Sequence, residues 1–535
     1  MKKKRLVHAT ILLIFLVVLV GIGYSERNDG SQVVMVTDPA EEPPMSSKAA
    51  AQEPVTEAAL CSGEVSTETR KDQEAPSDYE NETNYDGIVA TIERLLADGT
   101  TEFYAHYPVD ESFFLWLESR FGTGTVEDIA AKVSEGKGKP ELWYRMTGCT
   151  MHVLWLEYCK AYNYQTYRLE HVTWKDASKD GQITIDFVGD INFDPTWHTM
   201  KYAQSAGGAA SCISDDILQE LQSADITMVN NEFCFTKEKQ TQEGKAYSFK
   251  ADPKSVDLLD LFGADIVSLA NNHTCDYGEK GLLDTMDTLS DKGIVYSGAG
   301  RNLSEASAVQ YFVTGGRKIA FVSATEIERF YHFTKKAGKK TPGVLKTQQR
   351  ETVLAAIKEA RRNSDYVIMF VHWGAEGKIK QDADQRALAQ EYAAAGVDAI
   401  IGSHPHRLQG VEFVKNVPVV YSLGNFWFST GTLYATVGQI RIAADGKLTL
   451  RLFPCEQQSM ETRLLTEKEE RKNFYQYVAD LSDGVQINED GVFDTWDESA
   501  VITVPPAYRS GRQYGQHFDD ADLELRLIDV VGNLQ

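Results

Sequence analysis

The sequence predicts an α/β domain at the centre of a longer chain, and three observations carry that prediction. Between residues 183 and 425, short β-branched runs ("ITIDFVG", "ADITMVN", "ADIVSLA", "KIAFVSA", "DYVIMFVHWG", "VDAIIGS", "VPVVYSLGN") alternate with helical stretches. Those stretches are "DDILQELQSA", "PKSVDLLDLFG", "KGLLDTMDTLSDKG", "RETVLAAIKEARRNS" and "ADQRALAQEYAAAG". Polar residues gather where the runs end, and the composition changes abruptly on the N-terminal side, after the hinge "WKDASKDGQ".

The whole chain sets the bounds. At 535 residues it exceeds one ordinary domain, and a 42% hydrophobic share with 10% aromatics allows a sizeable core. A formal charge of −24 excludes nucleic acid as the main partner, because phosphate backbones call for a basic face. A polyanionic substrate would be repelled too, unless cations at the site reverse the local field. Seven cysteines without regular spacing form neither a disulfide framework nor a zinc knuckle, although a Cys149–Cys159 bridge stays open.

From the N-terminus, Lys2, Lys3, Lys4 and Arg5 precede Leu6 to Tyr24, a stretch with no Lys, Arg, Asp or Glu. As a helix those residues would reach about 28 Å, enough for a bilayer core. The basic cluster keeps that end cytoplasmic, so residues 1–24 read as a signal anchor with the main domains extracytoplasmic. A cleaved signal peptide is the competing reading, and no small-x-small site supports it. Residues 25–84 read as a disordered stalk: Ser25 to Asp78 contain no Phe, Tyr or Trp. Residues 85–175, with "YDGIVATIERLLADG", "ESFFLWLESRFG" and "ELWYRMTGCTMHVLWLEYCKAYNY", predict a small helical domain without evident chemistry. Residues 183–460 form the α/β domain, and 461–535 an acidic extension with a charged helix, "TEKEERKNFYQYVADLS".

In α/β folds ligands collect beyond the carboxyl ends of strands. Here five strand ends deliver Asp190 and Asn192, Asn231 and Glu232, Asn271 to His273 with Asp276, His372, and His404 with His406. Any one alone is unremarkable: a satisfied polar group, an N-cap or a turn. Cys234 and Cys275 read as packed thiols. Together, imidazoles, carboxylates and an amide suit divalent metals. Asp190, Glu232, Asn272, His372, His404 and His406, with Asn192, exceed what one zinc needs and fit two metals sharing a carboxylate. Pro405 restricts His404 to an extended backbone, holding both imidazoles of "GSHPH" in defined geometry.

The motifs "GD-x-N", "NNE", "ANNHTCDYG", "VHWG-x-E", "GSHPHRLQGVE" and "YSLGNFWFS" together resemble the CapA/PgsA family of capsule synthesis, related to calcineurin-like metallophosphoesterases. The resemblance spans about Ile183 to Pro454. It implies a four-layer α/β/β/α metallophosphoesterase-like sandwich with a two-metal cleft holding Mn, Fe or Zn. Asp190 and His406 would hold one metal, Asn272, His372 and His404 the other, with Glu232 bridging. His273 would be the acid or an anion stabiliser facing the substrate, oriented by Asp276. The related phosphoesterases usually have a histidine where Asn192 stands and a bridging aspartate where Glu232 stands. The function implied is support of poly-γ-glutamate or capsule biosynthesis or export, with a hydrolase-like site. Two alternatives are a non-catalytic polymer-binding subunit of a synthase or export complex, and a surface phosphodiesterase unrelated to capsule. Lys245, Lys250 and Arg407 are candidate contacts for an anionic polymer.

Overall fold

The strand Ile183–Ile191 organises the domain. Ile183, Ile185 and Phe187 alternate onto one face, where they meet Ile319, Phe321, Ile368, Ile401 and Ile440 in a buried apolar cluster. Val188 and Ile191 join a different cluster on the opposite face. Val188 is there by ordinary alternation; Ile191, in step with Ile183 and Phe187, is there because a register shift between Val188 and Asp190 adds a residue just where the chemistry begins. Gly189 permits it: a Cβ there would stand 2.2 Å from the Gly424 carbonyl oxygen.

In this computed structural model the described residues are 107, 111–132, 141–162, 171–176, 181–328 and 333–494. The expected anchor over Leu6 to Tyr24, the expected stalk, the helical stretch "YDGIVATIERLLADG" and the segment after 494 lie outside them. Among the described residues no helix is long and apolar enough to cross a membrane.

Two sheets build the domain. In the ten-stranded sheet, Ile183–Ile191 has parallel neighbours Ile226–Asn231, Ile266–Ser268 and Val295–Ser297 on one side. On its other side lie the antiparallel strands Leu433–Ile442 and Leu448–Gln458. The seven-stranded sheet runs Val172–Trp174, Gln310–Thr314, Arg317–Thr325, Tyr366–His372, Ala399–Ser403, Val417–Val420, Val411–Val414. The cluster containing Ile185 and Phe321 fills the space between the sheets. Helices Asp215–Ser223 and Gly278–Lys292 cover the far side of the first through Ile217, Leu221, Leu282 and Met286. Helices Arg350–Asn363 and Ala383–Ala395 cover the second through Ile357, Ala360, Ala389 and Tyr392. The result is four layers, helix, sheet, sheet and helix.

Local rules account for most elements. Asp382 and Gln385 close a capping box at the start of Ala383–Ala395, and Gly396 ends that helix in the left-handed region at φ 111°. "PKSVDLLDLF", expected as a helix, winds as a 3-10 helix over Pro253–Phe262 behind an Asp252 cap. The charged helix expected near the end spans Lys468–Leu481.

The helices Glu111–Phe121, Thr125–Lys132, Glu141–Thr147 and Met151–Ala161 share a core of Phe113, Leu117, Val126, Trp143, Leu154 and Tyr158. They dock on the edge of the seven-stranded sheet. There Thr150 donates its N–H to the Gly316 carbonyl (2.8 Å) and its hydroxyl to Asp365 Oδ2 (2.7 Å). The Arg317 guanidinium sits 3.9 Å from the Tyr144 ring centroid. Cys149 and Cys159 are not bonded to each other, so the bridge left open by sequence is not formed.

Candidate metal centre

The strand order brings the polar ends of both sheets together. Tyr366–His372 and Ala399–Ser403 run parallel, with His372 opposite Ser403, so His372 and the following His404 and His406 emerge side by side. In the other sheet Asp190 sits opposite Asn230, and Glu232 follows the strand Ile226–Asn231. Asn272 and His273 lie in the turn after Ile266–Ser268. Gly402 is required where the histidine strand ends: a Cβ there would stand 2.1 Å from the Tyr421 carbonyl oxygen.

The ligand atoms form two triads, Asp190–Glu232–His406 and Glu232–His372–His404, each with its donor atoms within 4.8 Å of one another. Glu232 belongs to both. Its Oε1 lies 3.6 Å from His372 Nε2 and 3.9 Å from His406 Nε2. Asp190 Oδ2 lies 3.0 Å from His406 Nδ1. Asn272 Oδ1 lies 2.7 Å from His372 Nε2, which is itself 3.1 Å from His404 Nδ1.

Charge and burial show what this arrangement needs. Asp190, Glu232 and His372 have no measurable exposure. Glu232 Oε1 is buried without a hydrogen-bond donor among the described residues, and Asp190 Oδ2 faces only the His406 ring nitrogen. Burial, reinforced by the Asp190 charge, pushes the Glu232 carboxyl well above the usual carboxylate range. Burial, with the neighbouring imidazoles, holds His372 and His404 well below the usual histidine range. At His406 burial pulls down, but the hydrogen bond and charge of Asp190 prevail and raise it. Buried carboxylate oxygens, one of them unpartnered, beside imidazoles of which His372 and His404 are held neutral are a donor set that a divalent cation satisfies. The residues therefore fit divalent metal binding.

His404 corrects the sequence expectation. Its backbone φ is +102°, not extended, and His406 follows at +56°. The restriction that proline places on its predecessor is local, and here the convergence of the two rings on different partners overrides it.

Beside the triads, His273 Nδ1 lies 2.8 Å from Asp276 Oδ2 and its Nε2 4.0 Å from Glu232 Oε1. Asp276 Oδ2 also accepts the Phe249 N–H (2.7 Å), and Lys245 Nζ pairs with Oδ1 at 2.7 Å. Lys245 is thus no surface contact for a polymer. Its side chain is 6% exposed and also pairs with Glu328 (3.4 Å) and donates to the Asn272 carbonyl. Lys250 donates to the Glu238 carbonyl and sits over the Tyr277 ring. Both lysines are committed inside the protein because the loop that carries them folds back on the site. Arg407, partly buried beside His406, is the remaining candidate.

Asn192 is buried, with its side-chain oxygen used locally. Its Oδ1 accepts the Asp194 N–H at 2.8 Å, and its Nδ2 has no partner among the described residues. Two other asparagines take part instead. Asn230 Nδ2 donates to Asp190 Oδ1 (2.7 Å), and Asn425 Oδ1 lies 2.8 Å from His406 Nδ1. They lie within "NNE" and "YSLGNFWFS", where nothing local marks them as partners of the ligands. Cys234 is a packed thiol, its Sγ facing the His273 and Thr274 carbonyls, and burial raises it well above the ordinary thiol range.

The family model for bacterial capsule synthesis protein PGA_cap matches residues 184–430. The PGA biosynthesis protein CapA of Bacillus subtilis (strain 168) is 32% identical over 254 residues. That match covers 47% of this chain and 65% of the relative, just under two thirds of its length. The capsule biosynthesis protein CapA of Bacillus anthracis is 30% identical over 328 residues, which are 59% of this chain and 78% of the relative. A probable polyglutamine synthesis accessory protein of Mycobacterium tuberculosis (strain CDC 1551 / Oshkosh) is 26% identical over 213 residues, 38% of this chain and 56% of the relative.

Proposed function

Because the chain belongs to the bacterial capsule synthesis protein family PGA_cap, we propose that it supports poly-γ-glutamate capsule biosynthesis or export from the outer side of the cell membrane. In this reading Leu6 to Tyr24 anchors it with the N-terminus cytoplasmic. Its working part is a hydrolase-like cleft holding two divalent cations, Mn, Fe or Zn. The observation that carries the reading is the pair of ligand triads sharing Glu232.

Asp190, Glu232 and His406 would hold one cation, and Glu232, His372 and His404 the other, with Asn272 Oδ1 beside His372. When bound, such a pair supplies Lewis-acid charge for hydrolysis of an ester, phosphoester or amide. The chain's own residues do the rest. Asp276 accepts the Nδ1 proton of His273, which fixes the tautomer and leaves Nε2 as the atom that exchanges a proton with the substrate. Lys245 neutralises Asp276 from its other oxygen and keeps that carboxylate in place. Asn230 and Asn425 orient Asp190 and His406. Phe249 packs on His273 (4.6 Å between centroids) and Phe428 on His406 (4.8 Å), each covering one face of an imidazole.

The test is the metal content of the purified full-length chain, beside His404→Ala and His406→Ala, followed by turnover of phosphodiester probes. About two equivalents of transition metal, reduced in both variants, and turnover that follows the metal support the reading. No bound metal after supplementation with Mn, Fe and Zn rejects the hydrolase-like cleft. Bound metal without turnover, with polymer bound only in the loaded protein, identifies a non-catalytic polymer-binding subunit instead.

A further inference from the structure

Tyr247 is the one exposed large hydrophobic side chain among the described residues, at 63%. A single exposed aromatic is ordinary on a protein surface. This one is the outer end of a continuous series of rings that begins at the metal cluster. His273 packs against Phe249 with centroids 4.6 Å apart, and Phe249 stacks on Tyr247 at 6.4 Å and 21°. Trp197 meets Tyr247 edge-on at 6.3 Å and Phe249 at 4.9 Å, and its indole N–H is fixed to the Phe428 carbonyl (2.6 Å). Phe428 closes the circuit by packing on His406.

The segment that presents Tyr247 is held down. Gln242 donates its N–H to the Asp276 carbonyl (3.0 Å) and its amide to the Cys275 carbonyl (2.5 Å). Lys245 Nζ is anchored on Asp276 two residues before Tyr247. The ring is therefore exposed without being loose, which is how an aromatic side chain provides contact area at low entropic cost.

At Tyr247 the rim offers rings, since Lys245 and Lys250 are both engaged internally and the remaining candidate cation, Arg407, follows His406 at the cluster. A ligand lying there rests an uncharged, flat part of itself on the rim and turns its anionic group toward the cluster. In a γ-linked glutamyl chain, the backbone between successive carboxylates is an amide plane with two methylenes, and an aromatic face packs against both.

We propose that Tyr247, backed by Phe249 and Trp197, is the outer subsite of the cleft, stacking on the amide and methylenes of a γ-glutamyl chain whose carboxylate points to the cluster. This rests on the polymer reading given under Proposed function.

The test measures binding of a labelled γ-linked glutamate oligomer to the metal-supplemented full-length chain and to Tyr247→Ala and Tyr247→Phe. A chitin oligosaccharide and a nucleoside monophosphate serve as ring-bearing competitors. Loss of one stacking contact predicts about tenfold weaker binding for Tyr247→Ala, with Tyr247→Phe within about twofold of the native chain. Metal content should be the same in all three. Equal binding by Tyr247→Ala, or equal weakening in Tyr247→Phe, overturns the platform and leaves the polymer reading intact. No binding of the oligomer by the native chain at full metal content rejects the polymer reading itself, and the platform with it. Tighter binding of a competitor through Tyr247 overturns the ligand class.

Discussion

His404 and His406, separated by Pro405, both carry positive φ and send their rings, 5.9 Å apart between centroids, to two different ligand triads. The proline that joins them is therefore a divider: one imidazole on each side, with Glu232 common to both.

That division predicts unequal losses of metal. Glu232→Ala removes a ligand from both triads, whereas His404→Ala and His406→Ala each remove one from a single triad. Elemental analysis should find the Glu232 variant the most depleted, with each histidine variant intermediate. Equal metal in Glu232→Ala and the native chain would contradict the shared position.

The His273–Asp276 pair predicts a separation of turnover from metal. Asp276→Asn keeps the shape but removes the charge and one of the two acceptor oxygens that serve His273, Phe249 and Lys245. Phosphodiester turnover should fall by about 10²-fold with metal content unchanged, as for loss of a positioned proton-transfer group. Unchanged turnover would remove His273 from the acid role.

Lys245 and Asp276 form an ion pair in which the side chains are 6% and 0% exposed. Lys245→Met leaves a buried carboxylate without its cation, and such a break costs about 3–5 kcal/mol. Urea unfolding should show that loss, and a change below about 0.5 kcal/mol would mean that water takes the place of the ammonium.

Asp186 predicts a pH dependence away from the cluster. Burial, above all, pushes its carboxyl up to about 8, with the Glu220 charge adding, while the Gln439 hydrogen bond and the Arg451 and Arg441 charges oppose. An unfolded aspartate titrates at about 3.9, so between about pH 4 and pH 8 the folded chain holds an extra proton. The stability tied to this group is complete below the unfolded value and is lost as pH rises through the folded one. Unfolding free energies from urea titrations at about pH 5.5 and about pH 8.5 should decline less in Asp186→Asn than in the native chain, the difference being on the order of a few kcal/mol. Parallel declines would show that Asp186 contributes nothing to the slope.

Gly402 offers a steric test. Alanine there would place its Cβ 2.1 Å from the Tyr421 carbonyl oxygen and 2.5 Å from the Trp373 indole nitrogen, neither able to retreat from the core. Gly402→Ala should destabilise by about 3 kcal/mol or more. At Gly431 the nearest atom is the Ser429 hydroxyl at 3.7 Å, and Gly431→Ala should stay within about 0.5 kcal/mol.

The parts of the site that sequence disclosed are those encoded by strand ends. Asp190, Glu232, His372, His404 and His406 each follow a short apolar run, and parallel pairing carries all such ends to one side. What stayed hidden depends on partners distant in sequence. Asn425 serves the cluster because its strand pairs with Asp190, a register that no local pattern specifies. Asn230 looks like an ordinary strand residue until Asp190 is placed opposite it. Lys245 looks like a surface cation until its loop is seen to fold onto Asp276. The hairpin Leu433–Ile442 and Leu448–Gln458 lies beside Ile183–Ile191, although some 250 residues of chain separate them. Pro405 misled for the opposite reason: the rule it invokes is local, and the backbone obeys the site instead.

The positive φ values at His404 and His406 carry one more consequence. Side chains with a Cβ pay roughly 1–3 kcal/mol for such a conformation, and glycine pays almost nothing. Imidazoles occupy both places, so the protein keeps its two ligand groups under backbone tension at the expense of robustness. A chain with glycine at 404 should melt at a higher temperature than one with alanine there, while being just as unable to complete its triad. In that sense the molecule would be sturdier if it did less.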